Sequence, residues 1–244
     1  KVVAEQSLFD LPIYKHAAPK CDFVNFHLLA VSVCPQCFFA TNEPSYFHDP
    51  SETRFKMHPH SQQTRDALIG QTPERLRLAS KISRDFFTEK RTPADALISY
   101  ELAIATSTVI HACNRYVLPI EQLRIANYHL RVVHLLELDH ADNSAIEVCA
   151  EKAIACLKQG FTVLEGGPLS KTTYQLVTLS IAMGEDKSAY AYLARLIELA
   201  KEPAANSDDC AALERYLSQG KAAWEDRERH RFPSVAARLA LDAA

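Results

Sequence analysis

Two helix starts in the middle of the chain constrain its fold more than any other feature. Thr72-Pro73-Glu74 and Thr92-Pro93-Ala94-Asp95 each place a threonine before a proline and an acidic residue in the next turn. A threonine side chain can cap a helix, and proline fits the first helical position. An acid nearby faces the positive end of the helix dipole. From residue 72 onward the sequence therefore predicts mostly α-helices.

Apolar residues at helical spacing extend this prediction to the end of the chain. Asn143 or Ser144 is expected to cap one helix, which Gly166-Gly167-Pro168 is expected to end, and Gly184 is expected to lie in a tight turn. Besides the helices that start at Thr72 and Thr92, the predicted helical ranges are 120–138, 145–164, 170–183, 187–201, 208–229 and 234–242.

The spacing of small and large residues refines the fold class. Ala189 is followed on the same helical face by Leu193 and Leu196, and residues 142–157 show a similar order. A small residue lets paired helices approach closely, as in tetratricopeptide hairpins. We therefore predict a mainly α fold, an antiparallel array of tetratricopeptide-like hairpins, with a small β module at the N-terminus.

The first part of the chain has a different composition. It is rich in aromatic, β-branched and proline residues, and the ranges 2–9 and 23–33 fit short strands. We assign residues 1–48 to a small β module. Residues 49–71 carry Pro50 and Pro59 among polar residues and are assigned to a linker. Residues 72–244 are assigned to the helical domain.

Cys34-Pro35-Gln36-Cys37 is the main chemical signal, and it follows the apolar run 28–33. Two cysteines in one tight turn can occupy two corners of a tetrahedral zinc site. The spacing also fits two inert thiols. A redox pair of thioredoxin type is a third interpretation, although it requires a helix that starts at the first cysteine, and Pro35 does not favour one.

Three segments carry a resemblance to a known family. They are Asp22-Phe23-Val24-Asn25, then Val31-Ser32-Val33-Cys34-Pro35-Gln36-Cys37-Phe38-Phe39-Ala40, and Thr173-Tyr174-Gln175-Leu176 through Gly184 to residues 189–196. They resemble a bacterial family known as domain of unknown function 2225. The resemblance covers most of the chain and implies a zinc knuckle followed by tetratricopeptide-like helices.

The chain departs from the family pattern at two points. The family has a first Cys-Pro-x-Cys, which we expect upstream of Lys1, and a glycine where Phe38 stands. If the first pair is missing, structural zinc on Cys34 and Cys37 requires Cys21 and one histidine. The candidate histidines are His16, His27 and His48.

Composition narrows the function classes. The 27 basic and 30 acidic residues give a net charge of -3 without a basic block, so an electrostatic grip on nucleic acid or on a membrane is not indicated. No run approaches the roughly 20 apolar residues of a membrane span, and the start lacks signal-peptide order. We expect a cytoplasmic protein with reduced cysteines, two of which, Cys149 and Cys156, pack in the core.

A polar stripe on the predicted helix 120–138 is the candidate partner surface. Arg124, Asn127, Tyr128 and Arg131 follow one another at spacings of three, one and three residues, so they can share one side of that helix. Such residues bind peptides on the concave faces of helical repeats. The same stripe can equally be solvated surface around a buried tyrosine.

These features favour a non-enzymatic adaptor that binds a protein or peptide partner and carries a structural zinc. The chain has no phosphate-binding glycine loop and no Gly-x-Ser-x-Gly elbow. One alternative is a zinc-ribbon protein whose aromatics Phe38, Phe39, Tyr46 and Phe47 contact nucleic acid. A second is a metal-dependent hydrolase with an open zinc position at Cys34, Cys37 and nearby histidines.

Overall fold

The structure is a computed structural model. It describes residues 2–6, 9, 12–16, 26–47, 60–83, 85–87, 91–114, 118–139, 141–201 and 207–242. The candidate ligands Cys21 and His48, and residues 49–59 of the predicted linker, lie outside the described residues.

Two short antiparallel sheets form the N-terminal part. Strand β1 (Val2–Gln6) pairs with β2 (Pro12–His16), with Val2 opposite His16. Strand β3 (Ser32–Val33) pairs with β4 (Ala40–Thr41). The predicted strand 2–9 is confirmed for residues 2–6.

The predicted strand 23–33 is wrong for residues 26–31, and residues 23–25 lie outside the described residues. Residues Phe26–Leu28 form a 3-10 turn, and Ser32–Val33 is the extended part of the described range 26–33. A helix side chain supplies the hydrogen bond that a neighbouring strand would give, because the hydroxyl of Tyr100 donates to the carbonyl of His27 at 2.7 Å. A backbone group satisfied in this way needs no strand partner.

The chain is mainly helical. The described residues contain ten α-helices: α1 (Gln62–Gly70), α2 (Thr72–Ala79), α3 (Pro93–Cys113), α4 (Leu118–Leu138), α5 (Asn143–Phe161), α6 (Gly166–Ala182), α7 (Asp186–Leu199), α8 (Ser207–Glu225), α9 (Arg227–His230) and α10 (Pro233–Asp242). Contacts run mainly between consecutive helices, such as α3 with α4 and α4 with α5, while α6 also contacts α8. The finer tetratricopeptide-like arrangement stays a prediction.

Helix α1 lies within the range assigned to a linker, so part of that range is helical. The hydroxyl of Ser61 accepts from the amide of Thr64 at 3.2 Å and caps the helix. Serine, three residues before an amide it can reach, is a local cap signal. The prolines and polar residues before Ser61 favoured a linker, so this cap signal was not used in the prediction.

The helix starts predicted at Thr72 and Thr92 differ in how they are capped. Thr92 caps α3, its hydroxyl accepting from the Asp95 amide at 3.1 Å while Asp95 accepts from the Thr92 amide at 3.2 Å. This reciprocal capping confirms the prediction there. At α2 the helix already includes Thr72, and Gln71 precedes it without a side-chain cap. The predicted cap at Thr72 is therefore wrong by one residue.

Two other helix boundaries differ from the predictions. Asp142 caps α5, in place of Asn143 or Ser144. Helix α6 begins at Gly166, where a loop was expected. Its first turn is capped from another helix, because a carboxylate oxygen of Asp209 on α8 accepts from the amide of Gly167 at 2.7 Å. Because Asp209 is 42 positions from Gly167, the residues around the start of α6 do not predict this cap.

The expected turn at Gly184 is confirmed. Gly184 has φ +72°, a conformation that favours glycine, and follows the last turn of α6. A Cβ atom there would lie 2.8 Å from a methyl group of Val235 on α10. The glycine therefore serves both the turn and the close approach of α10.

Helix α6 is the most buried element. Twelve of its residues between Ser170 and Ala182 are buried, on all sides of the helix. Leu176 and Leu179 pack with α5 residues such as Leu157, whereas Val177 and Ile181 pack with Leu193 and Leu196 of α7. A helix buried all round forms the centre of a core.

The N-terminal part shares a core with the helices. Val31 and Ala40 belong to the same apolar cluster as Tyr100 of α3 and Tyr128 of α4. The two sides of the predicted domain boundary are therefore packed together, and the division at residues 49–71 stays a prediction.

One described helix, α3, is long and apolar enough to span a membrane by length and composition. Its residues Tyr100, Leu102 and Ala103 are fully buried in the protein core. The core helix of a water-soluble protein passes the same test, so the expected cytoplasmic location stays a prediction.

Candidate functional site

The two cysteines lie in the tight turn between β3 and β4, called here the cysteine turn (residues 34–39). The Cys34 amide donates to the Phe39 carbonyl at 2.8 Å, and the Phe38 amide donates to the Cys34 carbonyl at 3.0 Å. Both cysteines are free thiols and partly exposed. The predicted turn is confirmed, with both thiols on one short loop.

Phe38 has an unusual backbone conformation. Its φ is +55°, and among the described residues it is the single non-glycine residue with a positive φ. The left-handed region costs a bulky residue roughly 1–2 kcal/mol. Phe38 occupies the position where the resembling family has glycine, so the chain keeps the glycine-type turn without the glycine. Its ring lies beside the ring of Phe87, with centroids 6.4 Å apart.

The turn makes its two thiols electrostatically different. Burial raises the pKa of Cys34, but hydrogen bonds from the amides of Cys37 and Gln36, the Cys37 thiol and the charge of Arg75 outweigh burial and lower it. The pKa of Cys37 is raised, first by burial and then by its proximity to Cys34. Cys34 is therefore the thiol that ionises first, and the thiolate is the form that binds metal.

The side chain of Arg75, on α2, binds the backbone of the cysteine turn. It is 2% exposed and donates to three neutral oxygens: the Cys37 carbonyl at 3.0 Å, the Leu68 carbonyl at 2.7 Å and the Thr72 hydroxyl at 3.1 Å. Burial lowers the pKa of this guanidinium, while the neighbouring cysteines act in the opposite direction. The arginine thus joins the turn to the α1–α2 pair.

A pocket of about 370 Å³ opens beside the cysteine turn, and we call it the turn pocket. Its walls are mainly apolar and aromatic, and they also carry two arginines. The lining residues are Cys34, Cys37, Phe39, Tyr46, Phe47, His60, Arg65, Leu68, Ile69, Thr72 and Arg75.

His60 is part of the aromatic wall of this pocket. It is 5% exposed, with its ring 4.4 Å from that of Tyr46 and 6.3 Å from that of Phe39. The Phe39 ring also meets the Phe47 ring edge to face at 5.6 Å. The aromatic residues after the cysteines therefore pack on one another as a wall.

The segment after the turn docks on α4 through buried polar groups. The Tyr46 hydroxyl donates to a carboxylate oxygen of Glu121, which is fully buried, at 2.8 Å. Arg124 pairs with the same oxygen at 2.5 Å and lies 4.8 Å from the Tyr46 ring centroid. The Tyr128 hydroxyl accepts from the Asn42 amide at 3.0 Å and donates to the Asn42 side chain at 2.8 Å.

These contacts locate the predicted partner stripe. Tyr128 is fully buried and Arg124 largely so, both against residues 42–46. The Asn127 side chain donates to the Leu123 carbonyl within α4, and Arg131 lies beside His27 at 3.4 Å. The stripe is thus covered in large part by the chain's own N-terminal segment. Its binding to a separate partner stays a prediction.

The structure brings together Cys34 and Cys37, but within the described residues no group of three His, Cys, Asp or Glu side chains could hold a metal. His27 instead packs against α4, with its ring 4.7 Å from that of His134. Burial lowers its pKa to about 4, and the nearby His134 and Arg131 act in the same direction. Cys21 lies outside the described residues, so its role as a ligand stays a prediction.

The α5 cysteines occupy core positions. Cys149 and Cys156 are partly buried and pack against the apolar cluster around α5 and α6. Burial raises the pKa of both thiols. The predicted core packing of this pair is confirmed.

Sequence reasoning missed Arg65, Arg75 and His60 as pocket residues. Arg75 and Ala79, four residues apart, form the buried side of α2, but an arginine at that spacing does not by itself indicate burial. Leu76, the apolar residue next to Arg75, is 49% exposed. The buried face of α2 thus carries an arginine that bonds to the cysteine turn, while the neighbouring leucine faces solvent.

Comparison with known protein families gives a match over most of the chain. The sequence model of an uncharacterised protein family conserved in bacteria, DUF2225, matches residues 16–215. No curated protein and no solved structure matches the chain significantly.

Proposed function

The chain belongs to the bacterial family DUF2225, and we propose that it is a non-enzymatic binding protein whose N-terminal segment is fastened to a helical array by a structural zinc ion. The observation that carries this proposal is the geometry of the cysteine turn. It places two thiols on one loop and lowers the pKa of Cys34. A thiol with a lowered pKa loses its proton more easily when zinc binds.

The donor set fits zinc in part. Cys34 and Cys37 supply two sulfur ligands on a turn whose amides stabilise a thiolate. Cys21, with one of His16 or His48, would complete a tetrahedral set of soft and imidazole ligands. Zinc held in this way would cross-link parts of the chain that are distant in sequence, and it would stabilise the fold.

The structural role is favoured over the hydrolase alternative by the surroundings of the thiols. Arg75 ties the turn to α2 through the Cys37 carbonyl, and His60 is packed in an aromatic wall. Such contacts restrict the motion of the cysteine turn and of the His60 side chain. A hydrolytic zinc needs an open position and a base that can reach its water.

A protein or peptide is the partner class that we propose for the helical array. Stacked helices give a rigid surface, and exposed large apolar side chains such as Val148, Tyr190 and Ile197 lie on it. The nucleic-acid alternative has less support, because Phe39 and Phe47 contact each other and Tyr46 bonds to Glu121. Aromatic platforms for bases need free ring faces.

Zinc analysis of the purified protein tests the proposal. We expect about one zinc per chain, and none in the double variant Cys34→Ser/Cys37→Ser. At a hundredfold excess of zinc over its Kd, the loss of metal would lower the free energy of unfolding by about 2.7 kcal/mol. Elemental analysis and thermal unfolding with and without a chelator provide the measurements.

The matched control is Cys210→Ser, which removes an exposed thiol on α8 far from the turn in sequence. It should leave zinc content and chelator sensitivity unchanged. A wild-type protein without zinc, or a double variant that keeps it, would refute the structural zinc.

A further inference from the structure

The turn pocket has the dimensions and walls of a small-molecule site. Its volume of about 370 Å³ lies near the lower end of the range for ligand pockets, about 300–1,000 Å³. Rings and aliphatic chains of Phe39, Phe47, Leu68 and Ile69 form much of its lining. Phe47 and Ile69 are 40% and 69% exposed, so apolar surface is offered to solvent at this place.

Two arginines line the pocket. Arg65 and Arg75 are among its lining residues, and the lining residues that the structure describes include no aspartate or glutamate. The described hydrogen bonds of both guanidinium groups go to neutral oxygens: Arg65 donates to the His60 carbonyl at 2.9 Å and to the Gln62 side chain. Arg75 uses three donors on carbonyl and hydroxyl oxygens.

Among the described residues, the hydrogen bonds of these two arginines pair neither guanidinium with a carboxylate. A guanidinium carries five N–H donors, so each arginine retains donors beyond those described. Burying a cation without an anion is costly, and an anionic group on a ligand would offset that cost. Arginine is also the side chain best shaped to bind a carboxylate in a bidentate manner.

We propose that the turn pocket binds a small organic acid, with an apolar body against the aromatic wall and a carboxylate at Arg65 and Arg75. The apolar walls favour a ligand with an apolar chain or ring. The arginines favour a carboxylate over a neutral group on that ligand. The compact volume favours a free small molecule over a protein segment. This ligand goes beyond the zinc proposed above, because the arginines carry their charge whether or not the cysteines hold metal.

Titration calorimetry of the full chain with decanoate, below its micelle concentration, tests the pocket. We expect saturable binding of one decanoate per chain, and binding of 1-decanol that is weaker by at least about fivefold. Decanol keeps the apolar chain and lacks the charge. Equal binding of the two probes, or no saturable binding of decanoate, would overturn the proposal.

Two variants locate the binding site. Ile69→Glu adds a carboxylate at the exposed rim and should weaken decanoate binding by about tenfold or more, with a smaller effect on decanol. Leu76→Glu makes the same change at an exposed residue of α2 outside the lining, and should change decanoate affinity by less than about twofold. An equal loss in both variants would place binding elsewhere.

Substitutions of Arg65 distinguish the effect of its charge on ligand binding from the effect of its side-chain structure. Arg65→Gln should weaken decanoate binding about tenfold, while Arg65→Lys, which keeps the charge, should retain most of it. The control Arg77→Gln removes an exposed arginine of α2 that does not line the pocket. Equal losses in Arg65→Lys and Arg65→Gln would contradict the assigned role of the charge.

The test distinguishes this proposal from the zinc site. Zinc content is measured in every variant, and Ile69→Glu and Arg65→Gln should keep the wild-type content. Decanoate binding in a zinc-free protein would refute only the zinc proposal. Saturable binding of an apolar tripeptide with a free carboxylate, but not of decanoate, would assign the pocket to a peptide and overturn the small-acid proposal.

Discussion

The cysteine turn and the central helix α6 are stabilised in opposite ways. Helix α6 is buried on all sides by apolar contacts with α5, α7 and α8. The cysteine turn and the residues around it have little regular structure, with strands of only two residues. Side chains from α2, from α3 and from the segment just before α3 bind its backbone instead: Arg75 at Cys37, Tyr100 at His27 and Arg91 at Val31.

This difference has a physical reason. A helix satisfies most of its own backbone groups, so apolar packing is enough to hold it. An irregular segment leaves amides and carbonyls without local partners, and each one needs a donor or acceptor from elsewhere. Many weak apolar contacts around α6 can substitute for one another in part. Single polar contacts at the turn cannot, so we expect local opening to begin there.

The largest expected effect is in the α6 core. Leu179→Ala truncates a fully buried side chain and should lower the free energy of unfolding by about 3–4 kcal/mol, measured by urea denaturation. Leu241→Ala, at a residue that is 79% exposed, should change it by less than about 0.5 kcal/mol. Similar values for both variants would contradict the core position of α6.

A smaller but more localised effect is expected at Arg75. Arg75→Leu leaves the Cys37 and Leu68 carbonyls without their described donor and should cost about 2–3 kcal/mol. The loss of the Arg75 charge would raise the pKa of Cys34, so the reaction with a thiol reagent is compared at a pH where the thiols are ionised. There it should accelerate in folded protein, because the turn opens more often. Arg77→Leu, on the exposed side of the same helix, should cost less than about 1 kcal/mol and leave the thiol rate unchanged.

If Arg75→Leu destabilised the whole protein without changing thiol reactivity, the turn would not be a separately opening region. The comparison with α6 would then fail, because both regions would unfold as one unit. Amide exchange at Phe38 and Phe39, against that at Leu179, provides an independent readout.

The smallest expected effect is a dependence on pH at the contact of the N-terminal segment with α4. The pKa of His27 is lowered from 6.5 to about 4, first by burial. Between these values the unfolded chain binds more protons than the folded one, so stability rises with pH. The stabilisation is complete above about pH 6.5 and is lost as the pH falls toward 4. Solvent screening should limit the loss to about 1–2 kcal/mol.

Replacing His27 by glutamine should flatten the stability profile between pH 6.5 and 4, measured by urea denaturation at several pH values. His230→Gln, on α9, should keep the wild-type slope over that range. A slope that persists in His27→Gln would mean that other groups, such as His129 with its pKa lowered to about 4 by burial, dominate the profile.

Local sequence signals were sufficient where one segment contains both partners of an interaction. The capping of α3 by Thr92 and Asp95 lies within four residues, and the turn at Gly184 needs only glycine at a positive φ. The apolar face of α7, with Ala189, Leu193 and Leu196, is buried as its spacing predicts. The family resemblance is likewise carried by contiguous segments, and the match over residues 16–215 confirms it.

Local signals were insufficient where the partner is distant in sequence. The start of α6 depends on Asp209, and Tyr128 of the predicted partner stripe is buried by Asn42. The turn pocket combines residues of the cysteine turn with residues of α1 and α2, which include a range assigned to a linker. Its arginines carry no local pattern that distinguishes them from solvated ones.

By itself the sequence determined the helical class, most helix positions and the turn that holds Cys34 and Cys37, because caps, prolines and apolar spacing act over a few residues. Tertiary structure alone decided that the turn packs against α2, that Arg75 is buried beside it and that two arginines line the pocket. The reason is that burial and charge neighbours depend on which distant segments meet in space, and residue spacing along the chain does not encode that directly.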